Sequence, residues 1–199
     1  FSSANNFEHF IQKSINNEFD IISIPPHIGS FLIKYYHFKA ISVEDWDAEI
    51  LVVSNSKSPI KSLHDLAGHT VILPDPLSMV SMVSAPILEE QGAKIHYSGS
   101  HSDALSSIIR HKYTAGAIIS PLMNTLQHVT KNKVKIIHSI KHPLAGVLLR
   151  SPLYPSRYDK IIFTALKKFD YGKTKLWQKW LPATEDRIKQ IHQQQKKYS

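Results

Sequence analysis

Apolar positions along this chain change spacing repeatedly between the helical and the extended period, and each change marks an element. Phe7, Phe10, Ile11 and Ile15 share one face of a helix over residues 5–16, and Asn16-Asn17 turns the chain. Phe19 to Ile24 then reads as a mostly apolar strand, stopped by Pro25-Pro26 just before a helix carrying His27, Phe31, Leu32 and Tyr35. Phe38 to Val43 and Glu49 to Ser54 read as further strands, and Asn55 to Pro59 is a polar break. Ser62 to His69 is a short helix with a glycine stop, after which the alternation resumes. Strands are expected at Val71–Leu73, Lys94–Tyr97, Ala115–Ile119, Val134–Ile140 and Ala145–Leu149, and helices at Ser78–Glu90, Ser102–Lys112 and Pro121–Val129. From Arg150 the pattern is helical, over Ser156–Phe169, Thr174–Trp180 and Thr184–Lys197. Strands alternating with helices at this pitch predict an α/β fold with a mainly parallel, helix-covered sheet and ligands at the carboxyl ends of strands.

Within that series the stretch from Val71 to Gly92 reads as strand, loop and helix. Pro74 and Pro76 stop the strand, Ser78 caps the helix, and Gly92 ends it. A helix start offers free backbone N–H groups and the positive end of a dipole, and with the Ser78 and Ser81 hydroxyls beside it this one suits a small anion. His27 and His101 each follow a strand at its carboxyl end, where a ligand is gripped. Either imidazole donates to an oxyanion when neutral and holds it more strongly when charged near pH 6.

Composition narrows the class. At 199 residues, 42% hydrophobic and 10% aromatic, the chain buries a sizeable core as one domain or two small lobes. A net charge of +8 favours anionic partners, but the Lys and Arg residues are scattered and grow dense only at Lys189–Lys197. With no RNA-binding signature or zinc-finger spacing, nucleic acid is not an expected partner. The absence of cysteine excludes disulfides, cysteine zinc sites and cysteine nucleophiles. Twelve histidines invite a metal, yet His64 with His69 and His138 with His142 lie at turns and strand ends, out of liganding register, so no metal or other cofactor is expected. Asp75, His101 and Ser78 form a triad only on paper, without a Gly-x-Ser-x-Gly elbow, and the chain is not read as an enzyme. Tyr171, Trp177 and Trp180 are expected as core anchors of a terminal helix. No apolar run reaches the roughly 18 residues that cross a bilayer, and Phe1 to Asn6 lacks the charged start and apolar core of a signal peptide.

Five stretches, taken in order, resemble the periplasmic solute-binding proteins of the phosphonate/phosphite/phosphate ABC-transporter family. Phe19 to His27 looks like the family's strand, proline and ligand loop, and Ile60 to Val71 like its entry to the second lobe. Asp75-Pro-Leu-Ser-Met-Val-Ser81 is similar to its Asp-Pro-x-Ser-Thr-Ser-Gly anion loop. Tyr97 to His101 with the following Ala115-Gly-Ala resembles its Gly-Ser-His and next strand, and Leu181 to Asp186 its C-terminal Pro-Ala-Thr-Asp segment. The resemblance implies a two-lobed type II periplasmic-binding-protein-like fold that closes on a solute. Lobe one takes residues 1–53 and 146–199, lobe two 58–142, with crossings near 52–57 and 143–148. It also implies that lobe one lacks its first strand and helix, which leaves a sheet edge without its usual neighbour.

The resemblance further implies an extracytoplasmic, membrane-associated protein that hands a small anionic solute, a phosphonate-, phosphate- or phosphite-like oxyanion, to the membrane component of an ABC importer. The alternative partner is a fused signalling module, with the chain as its sensor domain. Ligand contacts are expected from Pro26, His27, Asp75, Ser78, Met79, Val80, Ser81 and His101. Met79 and Val80 stand where the family pattern has Thr and Ser, which removes two side-chain hydrogen bonds and favours an apolar body on the ligand. Thr114 stands where an acidic residue commonly precedes the Ala-Gly-Ala strand, so a ligand ammonium group is expected to lose a partner.

Overall fold

The structure is a computed structural model, and it describes residues 6–44, 48–125, 132–142, 146–168 and 180–195. The chain divides into two compact units, one of Phe1–Asp47 with Leu144–Ser199, the other of Ala48–Pro143. The first boundary therefore precedes the strand Ala48–Asn55, which belongs whole to the second unit rather than starting in lobe one and crossing at 52–57. An unbroken run of buried apolar residues gives no sign in the sequence of which sheet will take it.

In the first unit, α1 (Phe7–Ile15) is capped by Asn6, whose side chain accepts the His9 N–H at 2.8 Å. It leads to β1 (Ile21–Ile24) and α2 (Pro26–Tyr36), where proline at the first helical position forgoes an N–H that would have had no partner. β2 (Lys39–Glu44) follows. After the second unit come β8 (Val147–Arg150), a 3-10 turn at Ser156–Tyr158, α6 (Asp159–Lys168), β9 (Trp180–Pro182) and α7 (Glu185–Gln195). The sheet order is β1-β8-β2-β9 and every neighbouring pair is antiparallel. Ile22, Ile24, Phe38, Val43, Val147 and Leu149 pack on one face with α1, α2 and α7, while Ile41, Leu148 and Trp180 pack on the other with α6. Ile41 and Val43 share a parity yet face opposite sides because a bulge between Ala40 and Ser42 shifts the register. Trp180 is a core anchor, but from a strand rather than the expected helix, and Tyr171 and Trp177 lie outside the described residues. At the end of β2, Glu44 is buried, its Oε2 accepting the Gly146 N–H at 3.0 Å.

The second unit holds β3 (Ala48–Asn55), a 3-10 turn at His64–Leu66, β4 (Thr70–Leu73), α3 (Met79–Glu90), β5 (Lys94–Tyr97), α4 (His101–Ile109), β6 (Ala115–Ile119), α5 (Ser120–Thr125) and β7 (Val134–His142). Its sheet runs β5-β4-β6-β3-β7, with β4 parallel to β5 and β6, and β3 antiparallel to β6 and β7. The expected mainly parallel sheet is thus found only around β4. Alternation of strands and helices fixes parallel pairing only where a helix connects neighbouring strands, and β3 and β8 lie beside strands that no crossover helix joins to them. Leu51, Val53, Ile72, Ile118 and Val134 form a core with Leu105 and Ile108 of α4. Gly116 permits this packing, since a Cβ there would lie 2.5 Å from the Ile72 carbonyl oxygen and 2.7 Å from Ile108 Cδ1. No helix among the described residues is long and apolar enough to cross a membrane.

Candidate functional site

β4 and β5 run parallel with Leu73 level with Tyr97, so both deliver their loops at the same end of the sheet. Ser98 ties the loops together, its N–H donating to Leu73 O at 2.9 Å and its hydroxyl reaching that carbonyl at 3.0 Å and Ser100 O at 2.9 Å. Gly99 then takes a φ of +85°, which a side chain would oppose, and turns the chain into α4.

On the β4 side, Asp75 shapes its own loop. Its Oδ1 accepts the Leu77 N–H at 2.8 Å and its backbone oxygen accepts the Ser78 N–H at 2.9 Å. Ser78 caps α3 as expected, accepting the Ser81 N–H at 3.1 Å, and donates its own hydroxyl to Ser81 Oγ at 3.0 Å. That leaves the Ser81 hydroxyl hydrogen, with the Met79 and Val80 amides at the first two helical positions, free of the helix ladder. These three donors at the positive end of a helix dipole are what an oxyanion requires, and they do not depend on the side chains at 79 and 80. Met79 and Val80 are both buried, so the methionine does not lie on an open edge.

On the β5 side, Ser100 caps α4 by accepting the Asp103 N–H at 3.0 Å and donates back to Asp103 Oδ2 at 2.7 Å. His101 is the first helical residue, and its Nδ1 is buried with no hydrogen-bond partner among the described residues. Burial pushes its pKa down to about 4. In the ligand-free chain the ring is therefore neutral at pH 6 as well as pH 7. A neutral imidazole still donates one N–H to an anion. Asp75, turned to Leu77, does not orient His101, and Ser78 is bonded to Ser81, so the paper triad is not assembled.

In the first unit Pro26 and His27 open α2 immediately after β1, Pro26 buried and His27 half-buried. Asp75, Ser78, Met79, Val80, Ser81 and His101 share the carboxyl end of the β4–β5 pair. Thr114 does not join them. It precedes β6, whose Ala115 lies level with Val71, so it sits roughly 10 Å back along the sheet, at about three residues of strand rise. Thr114 is therefore too far back along the sheet to meet an ammonium group on a ligand held at the serine loop. Ser98 was the residue missed, although Ser-Gly-Ser directly after a strand is a sequence signal for a side-chain-stabilised turn.

A family model described as "ABC transporter, phosphonate, periplasmic substrate-binding protein" matches residues 1–187. The chain belongs to that family. It is thus a periplasmic substrate-binding protein of the phosphonate ABC-transporter class, a group that binds solute for transport outside the cytoplasm. The match carries nothing for a fused signalling module. No curated protein sequence matches the chain significantly. A binding protein component of an ABC phosphonate transporter from Pseudomonas aeruginosa superimposes with a TM-score of 0.80 at 15% identity, over 96% of this chain and 72% of that one. PhnD1 from Prochlorococcus marinus, in complex with methylphosphonate, gives 0.80 at 14% identity, over 96% and 83%. The periplasmic aliphatic sulphonate binding protein SsuA from Escherichia coli gives 0.59 at 17% identity, over 82% and 58%. At these identities the likeness is one of fold, that of type II periplasmic binding proteins.

Proposed function

We propose that this family member binds a phosphonate-, phosphate- or phosphite-like oxyanion and passes it to the membrane component of an ABC importer. The observation that carries the reading is the start of α3, where the Ser81 hydroxyl and the Met79 and Val80 amides lie free of the helix ladder, beside the loop bearing neutral His101. Asp75 shapes the loop rather than touching the anion, whose charge it would repel. Pro26 and His27 are assigned as ligand contacts of the first unit because they open a helix at the end of β1, as Ser78 and His101 do at the ends of β4 and β5. The net charge of +8 supports attraction of an anion. Catalysis is no part of this reading, since no base is bonded to either serine hydroxyl in the described residues.

Titration calorimetry with phosphate, phosphite, ethylphosphonate, aminoethylphosphonate, sulfate and ethanesulfonate tests the assignment. At least one phosphorus oxyanion should bind, and Ser81→Ala should weaken it. Binding of none sinks the proposal.

A further inference from the structure

The second unit contains another polar cavity, at the end of its sheet away from the serine loop. β3 ends there at Asn55 and β6 begins there at Ala115, and the cavity of about 320 Å³ lies beside them. Lys57, His111 and Lys112 line it, and no carboxylate does. Among the described residues neither lysine takes part in an ion pair. Lys135 adds a fourth basic side chain behind the wall, its Nζ donating to the Ser58 carbonyl at 2.6 Å.

The end of α4 reaches the same place, and exposed helix carbonyls would repel an anion. Asn55 removes that objection. Buried to 3% exposure, it donates its side-chain amide to the carbonyls of Ile108 at 3.2 Å and Ile109 at 3.4 Å, and its Oδ1 accepts the Lys57 N–H at 3.0 Å. One residue thus caps the helix and fixes the loop that carries Lys57. His111 adopts a left-handed φ of 59°, and the Lys112 N–H returns to Ser107 O at 2.9 Å, which sets the second cationic segment. Tyr113 forms an aromatic wall held by stacking on His96 at 5.1 Å. Two rigidly based cationic segments, an uncharged polar floor and more room than a single phosphate group fills describe a recognisable ligand chemistry.

We propose that the cavity beside Asn55 and Thr114 is a second anion site, separate from the solute loop, for a polyphosphate or phosphate ester held between Lys57 and Lys112. Unlike the serine loop, it works through ammonium charge, so its affinity falls as salt screens it. The proposal is independent of the solute assignment.

Calorimetry of the full chain with inorganic pyrophosphate, at low and at raised ionic strength, tests it. Wild type and Ser81→Ala should bind alike, more weakly at raised salt. The double variant Lys57→Ala/Lys112→Ala should bind at least ten-fold more weakly, and Thr114→Glu, which places a carboxylate in the cavity, should lose binding as well. Lys61→Ala/Lys94→Ala, with the same net charge and exposed lysines outside the cavity, should bind as wild type does. No binding by wild type overturns the proposal. So does an equal loss in both double variants, which would reveal diffuse charge, and so does loss in Ser81→Ala, which would put pyrophosphate on the serine loop.

Discussion

Replacing Glu44 by Gln should stabilise the protein increasingly as pH rises above about 4.5. Glu44 ends β2 with 7% of its surface exposed. Its Oε2 accepts the Gly146 N–H at 3.0 Å, while Oε1 has no partner among the described residues. Desolvation pushes its pKa up from 4.5 to about 7, against the smaller downward pull of the Gly146 hydrogen bond. In the unfolded chain the carboxyl keeps its ordinary value. Between pH 4.5 and 7 the unfolded chain is therefore ionised while the folded one still holds the proton, so stability falls as pH rises. The contribution is fully present below pH 4.5 and gone above about 7, a loss of about 3 kcal/mol as an order of magnitude. Glutamine keeps an oxygen for the Gly146 N–H and never ionises. Urea midpoints at pH 4.5, 6 and 8 should show variant and wild type nearly equal at the lowest pH, with the variant pulling ahead to about 3 kcal/mol at the highest. An advantage for glutamine that does not change with pH would refute the argument, as would a wild type that gains on the variant between pH 5 and 7.

Ser78→Ala should cost about 0.5–2 kcal/mol of stability in a denaturant titration, because the hydroxyl caps α3 through Ser81. Ser81→Ala should instead act on affinity, with a loss of about 1.5–3 kcal/mol measured by calorimetry, the worth of one charge-assisted hydrogen bond. Gly116→Ala should lower the unfolding free energy by about 1–3 kcal/mol or more, since the added methyl would meet the Ile72 carbonyl and Ile108. Trp180→Ala should cost about 3–5 kcal/mol by emptying the core under α6, with a lower thermal midpoint as the readout.

Strands and helices were legible wherever local chemistry decides them. Pro25-Pro26 stops β1 and opens α2, Ser78 caps α3, and Ser100 with Gly99 opens α4, each through bonds within a few residues. Pairing direction was not legible, because β8 joins β1 and β2 only after about a hundred intervening residues of chain, and nothing in Val147–Arg150 names its neighbours. The same limit explains Trp180, whose strand pairs with Ser42–Glu44 of β2, far from it in sequence. Of the candidate site, residue types on the loops could be read from spacing, whereas the state of each could not. The neutral His101, the inward-turned Asp75 and the remote Thr114 follow from burial and register, which are properties of the assembled sheet.

The position of β8 between β1 and β2 also governs the order in which a chain leaving the ribosome can mature. The second unit, Ala48–Pro143, is continuous and completes its own sheet as soon as its last strand emerges. β1 and β2 must wait through that whole interval without the strand that comes to lie between them, and with only α1 and α2 of the helices that pack on Ile22, Ile24 and Val43 already made, because β8 is made afterwards. During synthesis the waiting first segment is therefore what a holding chaperone would recognise. A slowly translated second unit lengthens that exposure.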